Sequence, residues 1–443
     1  MKSYAARRAA LMDQMQAKGG GIAIIPTAPE VMRNRDADYP YRHDSYFHYL
    51  SGFTEPEAVI VLVAGKERQS ILFCREKNLE REIWDGYRYG PEAAREAFGF
   101  DAAYPISALD DEMPKLMADA PALFYALGSD SRLDSQVHAW LRAVRMQARA
   151  GVAAPPVAHD VHVILDEMRL VKDAAEIAIM KRAAVISASA HRRAMQTARP
   201  GLREYHLEAE LLHEFRRHGS QFPAYGSIVA TGANACVLHY RASDAEIKDG
   251  DLILIDAGAE FDSYASDITR TFPANGKFSG PQKELYEIVL ASQAAAIADT
   301  RPGKRFIDGH DAAVRVLAQG MLDTGLLDKN KVGSLDDVIE KGAYRQFYMH
   351  RTGHWLGMDV HDVGDYREQS AAGSERDWRI LQPGMVLTIE PGIYVRPEPS
   401  VPEQFWNIGI RIEDDAVVTE DGCDIITADA PKSVADIEAV MKG

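Results

Sequence analysis

The chain has 443 residues, of which 46% are hydrophobic and 26% charged, and its formal net charge is −16. A chain of this length usually divides into two domains, and its apolar content is sufficient for a sizeable core. The acidic balance argues against non-specific binding to nucleic acid or to anionic membranes, so we expect neither as a partner.

The cysteines and the apolar segments indicate in which cellular compartment the protein is expected. Cys74, Cys236 and Cys423 are few, widely spaced and odd in number, which is not the pattern of a disulfide framework or of a cysteine-based zinc motif. The first apolar stretch, 21–25, is too short for a signal-peptide core. No segment approaches the roughly 20 apolar residues that cross a bilayer. The sequence therefore predicts a cytoplasmic protein without a membrane anchor.

Residues 1–172 alternate short apolar runs with helical segments, which is typical of a separate α/β domain. The runs predicted to be strands are bounded by glycine, proline or charged residues: GIAIIP, EAVIVLV, SILFC and ALFYALG. Helical patterns cover 5–17 and 135–146. Little in this half indicates catalysis, so we assign it as an amino-terminal domain.

Residues 173–443 form the second predicted domain, which opens with a strong helix signal. Asp173 can cap the helix, Glu176 follows three residues later, and apolar residues then recur at helical spacing. An Arg-Pro-Gly tripeptide ends this helix, and a second helix follows it. The same order of helix, Arg-Pro-Gly and helix occurs again about one hundred residues later.

Each copy of this pattern is followed by a strand that ends in an acid. Asp256 and Glu390 each lie six residues after a glycine that precedes an apolar run. Each is followed by a second acid on a later strand, Asp267 and Glu413. Two related halves that meet face to face would bring all four acids to their junction.

Four carboxylates in apolar strands require a compensating charge. A buried carboxylate is costly unless its charge is cancelled. If the four converge, each pair about 4 Å apart repels by roughly 4 kcal/mol at an effective dielectric constant of about 20. Two divalent cations would remove this repulsion. Together with His354, the acids therefore indicate a two-metal hydrolase.

The segment 350–361, HRTGHWLGMDVH, is rich in histidine. Its glycines disfavour a helix, so the HxxxH spacing is not the helical motif of zinc proteases. Hard carboxylates with one imidazole suit Mn²⁺, Co²⁺, Fe²⁺ or Mg²⁺ better than a structural zinc site. A metal pair would supply a bridging hydroxide as nucleophile. His239, His350 and His361 are candidates for hydrogen bonds to the substrate or the developing oxyanion.

Five segments resemble those of the metallopeptidases with the pita-bread fold: LILIDAG, SDITRTFP, HRTGHWLGMDVHDVG, TIEPGIY and GIRIEDD. The segment DYPYRHDSYFHYLSGFTEPEAV narrows the resemblance to the aminopeptidase P (Xaa-Pro aminopeptidase) family. The resemblance implies an α/β (α+β) protein with a creatinase-like α/β amino-terminal domain and a pita-bread catalytic domain of pseudo-twofold halves. It also implies release of the first residue from peptides with proline in second position, by attack of a metal-bridging hydroxide.

The resemblance assigns a role to each metal-ligand position. Asp256 would hold one metal ion, Asp267 and Glu413 would bridge the pair, and the second ion would be held by His354 and Glu390. Glu390 would also accept the proton of the bridging water. The implied ions are two Mn²⁺, with Co²⁺ or Zn²⁺ as alternatives.

The resemblance also implies residues around the metal centre. The histidines that would line the substrate site and steady the tetrahedral intermediate are His239, His350 and His361. Arg411 would orient a ligand carboxylate. The other positions that match the family's active site are Tyr394, Arg169 and Trp84. Because relatives are commonly dimers or tetramers, a homo-oligomer is expected.

Several alternatives remain open on the sequence. Prolidase has the same metal chemistry but takes Xaa-Pro dipeptides. A methionine aminopeptidase would not need the additional amino-terminal domain. A non-catalytic peptide-binding module on this fold, or metal-free hydrolysis of the creatinase type, would lose ligands, and all five are present here. The prediction is therefore an Xaa-Pro aminopeptidase, with prolidase as the nearest rival.

Overall fold

The computed structural model describes residues 4–368 and 376–442. The chain divides into two compact units between Met168 and Arg169, whereas the sequence analysis places the boundary after residue 172. Within the described residues, no helix is long and apolar enough to cross a membrane.

The first unit contains a six-stranded mixed sheet and a separate small hairpin. Its strands are β1 (Gly21–Pro26), β2 (Met32–Asn34), β3 (Ala37–Asp38), β4 (Val59–Ala64), β5 (Arg68–Cys74), β6 (Ala102–Pro105), β7 (Leu123–Phe124) and β8 (Ala158–His159). The sheet has the order β6-β5-β4-β1-β7-β8, and β2 pairs with β3. The predicted strand ALFYALG contributes only the two residues of β7, because β8, its parallel neighbour, pairs over only two residues.

The first unit also contains helices, and the last of them in chain order ends two residues beyond the boundary between the units. They are α1 (Tyr4–Ala17), α2 (Ser45–Ser51), α3 (Leu79–Asp85), α4 (Gly90–Phe98), α5 (Leu109–Met117), α6 (Ser131–Arg145) and α7 (His162–Leu170). The helix predicted at 135–146 begins four residues earlier, as α6, because the Asp130 carboxylate accepts hydrogen bonds from the backbone N–H groups of Arg132 and Leu133.

The helices of the second unit include the two predicted pairs. They are α8 (Ala174–Thr197), α9 (Glu204–Arg217), α10 (Gly280–Asp299), α11 (Phe306–Asp323), α12 (Lys329–Val332), α13 (Leu335–Glu340) and α14 (Val434–Val440). The helix α8 begins where the sequence predicts it, since Asp173 and Glu176 form a capping box.

The strands of the second unit form short antiparallel sheets. They are β9 (Phe222–Pro223), β10 (Ile228–Thr231), β11 (Leu252–Asp256), β12 (Ala259–Phe261), β13 (Tyr264–Ala265), β14 (Thr269–Pro273), β15 (Val386–Ile389), β16 (Gly392–Val395), β17 (Ile408–Arg411), β18 (Asp414–Val418) and β19 (Cys423–Ile425). Two sheets, β10-β11-β14 and β15-β18-β19, carry the acids at their strand ends.

The two halves of this unit place their acids in the same way. In the first half, Asp256 ends β11, the pair β12–β13 follows, and Asp267 precedes β14, which returns antiparallel to β11. In the second half, Glu390 follows β15, the pair β16–β17 follows, and Glu413 precedes β18, which returns antiparallel to β15. In each half, the acids before and after the inserted pair (β12–β13 or β16–β17) therefore lie at the same end of the flanking pair (β11–β14 or β15–β18).

A large apolar core fixes these strand ends. Ile253 and Ile255 of β11 and Phe272 of β14 are fully buried and belong to the same apolar core as Leu285 and Val289 of α10. Burying each such side chain contributes about 1.5–3 kcal/mol. The acids thus extend from rigid strands, which keeps their carboxylates at defined positions.

Candidate metal centre

Three of the predicted ligands form a compact cluster in the second unit. Asp267, His354 and Glu413 each offer one donor atom, and these atoms all lie within 4.8 Å of one another. The His354 Nε2 atom is 3.5 Å from Oδ2 of Asp267. Two carboxylates and one imidazole at this spacing form a site that can hold a divalent metal ion.

The other two predicted ligands adjoin this cluster. The Oε1 atom of Glu390 is 3.8 Å from Nε2 of His354. The Tyr225 hydroxyl lies 2.6 Å from Oδ1 of Asp256 and also contacts Oδ1 of Asp267. All five predicted ligands line one cavity of about 820 Å³, which we call the catalytic cavity.

The positive charge around this cavity is too small for all of its carboxylates to be ionised together. Burial, followed by repulsion from Asp267 and Glu390, raises the pKa of Glu413 well above its usual range. Burial raises the pKa of Glu390 to about 7. Burial also raises the pKa of Asp256, although the Arg411 charge opposes this shift. The donor set therefore fits a cationic ligand, which would stabilise the ionised carboxylates.

The His354 ring is oriented as a metal ligand would be. Its Nδ1 atom donates to the backbone carbonyl of Trp355 at 2.9 Å, so Nε2 faces the carboxylates. A second hydrogen bond of this kind fixes the tautomer and orientation of metal-binding histidines. Burial opposes protonation of His354, but the hydrogen bond to Asp267 and the charge of Glu390 outweigh it and raise the pKa to about 9.

Arg411 links the two acid pairs. Its Nη2 atom donates to Oδ2 of Asp256 at 2.6 Å, and Nη1 donates to the Tyr394 hydroxyl at 3.1 Å. Its Nε atom lies 3.1 Å from Oγ1 of Thr269, which in turn donates to Glu413 at 2.6 Å. The buried guanidinium thus orients Asp256 directly and Glu413 through Thr269.

The three predicted substrate histidines also line the catalytic cavity. Burial lowers the pKa of His350 to about 3, so its ring is neutral near pH 7. Its Nδ1 donates to the Arg351 carbonyl at 2.7 Å, which leaves Nε2 to accept from Tyr394 at 2.8 Å. The His361 and His354 ring centroids are 4.2 Å apart, and His239 lines the same cavity as both.

Two predicted site residues, Arg169 and Trp84, are not among the residues that line the catalytic cavity. Arg169 is buried, and its Nη2 atom donates to Asp359 at 2.8 Å and to Asp362 at 2.7 Å. These contacts hold the loop on which His361 lies, so they indicate a positioning role for Arg169. Trp84 is in the first unit, on α3, where it is 82% exposed. The substrate-binding or supporting roles that the resemblance suggests for these two residues stay predictions.

Sequence reasoning missed two residues that contact the carboxylates. Thr269 lies two positions after Asp267 in the segment SDITRTFP, and the strand period could have indicated that both point to the same side. Tyr225 lies between β9 and β10 in FPAYGSI. That irregular segment has no periodic pattern, so no signal in the sequence could have identified Tyr225.

The metal-free protein is expected to lose stability as the pH rises. The pKa of Glu390 is raised from 4.5 to about 7 and that of His354 from 6.5 to about 9. Both groups bind protons more tightly in the folded state, so each stabilises the fold at low pH and loses that effect as the pH passes through its folded pKa.

Thermal unfolding of metal-stripped protein between about pH 7.5 and about pH 9 measures this effect, because the histidines with a lowered pKa, such as His350, are neutral in both the folded and the unfolded state there. The melting temperature should fall across that range, and it should fall less with metal bound, because metal replaces the protons on its ligands. A flat or rising melting temperature in the metal-stripped protein would contradict the prediction.

Comparison with known proteins identifies relatives over the whole chain. Residues 178–420 match the model of metallopeptidase family M24, and residues 4–125 match the aminopeptidase P, N-terminal domain. The Xaa-Pro aminopeptidase of Escherichia coli K12 is 45% identical to this chain over 99% of this chain and 97% of its own length.

Solved structures agree with these matches. The Pseudomonas aeruginosa aminopeptidase PepP is 51% identical, with a TM-score of 0.94 over 99% of this chain and 97% of that chain. A zinc-substituted E. coli aminopeptidase P in complex with product is 44% identical, with a TM-score of 0.94 over 100% of this chain and 98% of that chain. These likenesses confirm the predicted fold class.

Proposed function

The chain belongs to metallopeptidase family M24, and from this premise we propose that it is an Xaa-Pro aminopeptidase, which releases the first residue of peptides with proline in second position. The observation that carries this proposal is the meeting of five ligand-type side chains and three histidines in one cavity. Whole-chain similarity to proteins named Xaa-Pro aminopeptidase supports it.

The proposed cofactor is a pair of divalent metal ions. Asp256 would hold one ion, Asp267 and Glu413 would lie between the two, and His354 and Glu390 would hold the other. Mn²⁺ suits the hard donors, with Co²⁺ or Zn²⁺ as alternatives. When bound, the ions polarise the peptide carbonyl and make water a stronger acid, so that hydroxide forms near neutral pH.

Glu390 has the properties of the general base. Bound metal ions would keep its buried carboxylate ionised near neutral pH, and the ionised form is the one that accepts a proton. We propose that its carboxylate accepts the proton of the attacking water and then delivers it to the departing nitrogen. That nitrogen needs the proton because an amide anion is too basic to leave, and the proline nitrogen, which carries no hydrogen in the peptide, then departs as a secondary amine.

Histidines of the catalytic cavity would stabilise the developing oxyanion. Burial lowers the pKa of His361, so its ring is available as an uncharged donor. His239 lies on the same cavity, whereas His350 is already engaged with Tyr394. We therefore propose that His361 and His239 contact the reacting group, and that His350 and Tyr394 hold each other in place.

Replacing His361 by alanine tests this division of roles. We expect kcat to fall by about a hundredfold, because a donor to the developing oxyanion acts mainly in the transition state. The metal content should not change, since His361 is not among the five proposed ligands. Steady-state kinetics would contradict the prediction if KM rose while kcat stayed constant.

A peptide panel tests the proposed function against prolidase. The peptides Ala-Pro, Ala-Pro-Ala and Ala-Ala-Ala are assayed with Mn²⁺, Co²⁺ or Zn²⁺ added to metal-stripped protein. Release of alanine from Ala-Pro-Ala, with slow cleavage of Ala-Pro and none of Ala-Ala-Ala, is the expected result. Strict preference for Ala-Pro would assign the chain as a prolidase instead.

Two further predictions from the sequence concern assembly and compartment. A homo-oligomer and a cytoplasmic location stay predictions, and light scattering after size-exclusion chromatography measures the first. If the protein is an oligomer, a second copy could cover the Trp84 side chain, which is exposed in the single chain.

A further inference from the structure

A second cavity adjoins the catalytic cavity. It has a volume of about 500 Å³ and shares two lining residues with the catalytic cavity, His350 and Arg351. We call it the side cavity. Much of its lining is aromatic or apolar, and its other basic or acidic residues are His310, Asp311 and Arg345. Arg351 thus stands at the border between the metal centre and a space large enough for part of a peptide.

In the part of the chain that the structure describes, Arg351 is held by contacts with a histidine and an aromatic ring and not by an acid. Its carbonyl oxygen accepts the 2.7 Å hydrogen bond from Nδ1 of His350. Its guanidinium carbon is 4.9 Å from the Trp378 ring centroid, and the Arg367 guanidinium carbon is 3.8 Å from the same centroid. Contact with an aromatic ring uses the face of a guanidinium, so the N–H donors at its edge remain available to an anion.

The charges of the side cavity favour an anionic ligand. Within residues 4–368 and 376–442, neither Arg351 nor Arg345 forms an ion pair with a carboxylate. Burial, followed by the charges of these two arginines, lowers the pKa of His310 to about 4, so His310 is neutral near pH 7. Asp311 offsets one arginine, which leaves the side cavity with a net positive charge in a protein of net charge −16.

We propose that Arg351 binds a carboxylate of the peptide substrate, and that the enzyme therefore favours peptides with an acidic group near the scissile bond. This inference rests on the proposed function and specifies its substrate class. The carboxylate has two sources, an acidic side chain or the carboxyl terminus of a short peptide. Both offer the two oxygens that a guanidinium binds through paired hydrogen bonds.

Four peptides and three variants test the proposal. The peptides are Ala-Pro-Ala-amide, Ala-Pro-Ala, Ala-Pro-Glu-amide and Glu-Pro-Ala-amide, so that one is free of carboxylates and each of the others adds one at a different place. The variants are Arg351→Gln, Arg351→Lys and, as the matched control, Arg367→Gln. Arg367 contacts the same tryptophan but does not line the catalytic cavity.

Arg351→Gln should lower kcat/KM for at least one carboxylate peptide about tenfold more than for the neutral amide, which is the effect of losing one charge-assisted pair. Arg351→Lys should keep part of this selectivity, because it keeps the charge but not the paired donors. The affected peptide identifies the source of the carboxylate. Arg367→Gln should leave the ratio between peptides at its wild-type value.

An equal loss on all four peptides in Arg351→Gln would overturn the proposal. The same selective loss in Arg367→Gln would also overturn it, because the arginine contacts with Trp378 would then act only on the shape of the cavity. Failure of the proposed function gives a different result, since the wild-type protein would then cleave none of the four peptides, and both proposals would fall together.

Discussion

Replacing Glu413 by glutamine, or Asp267 by asparagine, is expected to lower kcat/KM by several orders of magnitude while the fold stays intact. Each substitution keeps the size of the side chain but removes one of the charges that would hold the metal ions. The remaining donors cannot compensate, because Thr269 and Tyr225 each contribute only a neutral hydroxyl to these acids. Losing the ions would remove both the activated water and the polarised carbonyl.

The metal-free state gives an independent readout of the same substitution. The pKa of Glu413 is raised by burial and by its acidic neighbours, so its ionised form is costly in the absence of metal. Metal-stripped Glu413→Gln should therefore be at least as stable as metal-stripped wild type. Metal should stabilise the variant less than the wild type, because stabilisation by a ligand depends on its affinity for the folded state.

The measurements are kcat/KM with saturating metal, bound metal per chain, and thermal unfolding with and without metal. Glu420→Gln is the matched control, since Glu420 is exposed on the surface seven residues further along the chain. The control should behave as wild type in all three assays. Near-wild-type turnover in Glu413→Gln or Asp267→Asn would refute the assignment of these carboxylates to the metal centre.

The sequence was informative about the acids for a physical reason. A carboxylate at the end of an apolar strand, such as Asp256 or Glu390, is conspicuous because burial without compensation is costly. The repeated order of helices and strands also predicted that the acids come in pairs. The register of β11 with β14 and of β15 with β18 then shows how each pair is brought together.

Other features depend on contacts that no local pattern encodes. Tyr225 reaches Asp256 and Asp267 from an irregular segment, over a separation of 31 and 42 residues. Arg169, which the resemblance to the family places at an active-site position, binds Asp362, which is 193 residues away in the chain. Such contacts depend on how distant segments pack, and a single sequence carries no direct record of them.

The contacts of Asp362 connect a buried charge cluster to the metal centre. Its Oδ1 accepts from Arg169 at 2.7 Å, and its Oδ2 accepts from Lys172 at 2.8 Å. Its backbone N–H donates to the Trp355 carbonyl at 2.9 Å, and the same carbonyl accepts the Nδ1 hydrogen bond of His354. The cluster thus fixes the carbonyl that orients His354.

Gly357 allows this arrangement to close. A Cβ atom at Gly357 would lie 2.1 Å from Oδ2 of Asp362, so only glycine permits the carboxylate to sit against the loop. The loop therefore depends on both residues, one for its charge and one for its lack of a side chain. Any change that moves Asp362 is expected to move His354 and His361 with it.

Asp362→Asn is expected to destabilise the protein by about 3–5 kcal/mol, because it leaves a buried cation facing an amide group. It should also weaken metal binding by about 10–100-fold, since the Trp355 carbonyl that orients His354 is displaced. Chemical denaturation and metal titration measure the two effects. Adding Lys172→Met should recover part of the stability, because the double variant no longer buries an unpaired ammonium group.

Asp359→Asn is the matched control for this prediction. Asp359 also accepts a hydrogen bond from Arg169, but its side chain is 40% exposed, whereas that of Asp362 is 0% exposed. In this variant Arg169 keeps its hydrogen bond to Asp362, and water can solvate the exposed side chain at position 359. We therefore expect a loss of about 1 kcal/mol or less and little change in metal affinity. If the two asparagine variants proved equally mild, the link between this cluster and the orientation of His354 would be wrong. A large loss of metal affinity confined to Asp362→Asn would show that a buried charge, remote from the substrate, fixes the imidazole at the metal centre.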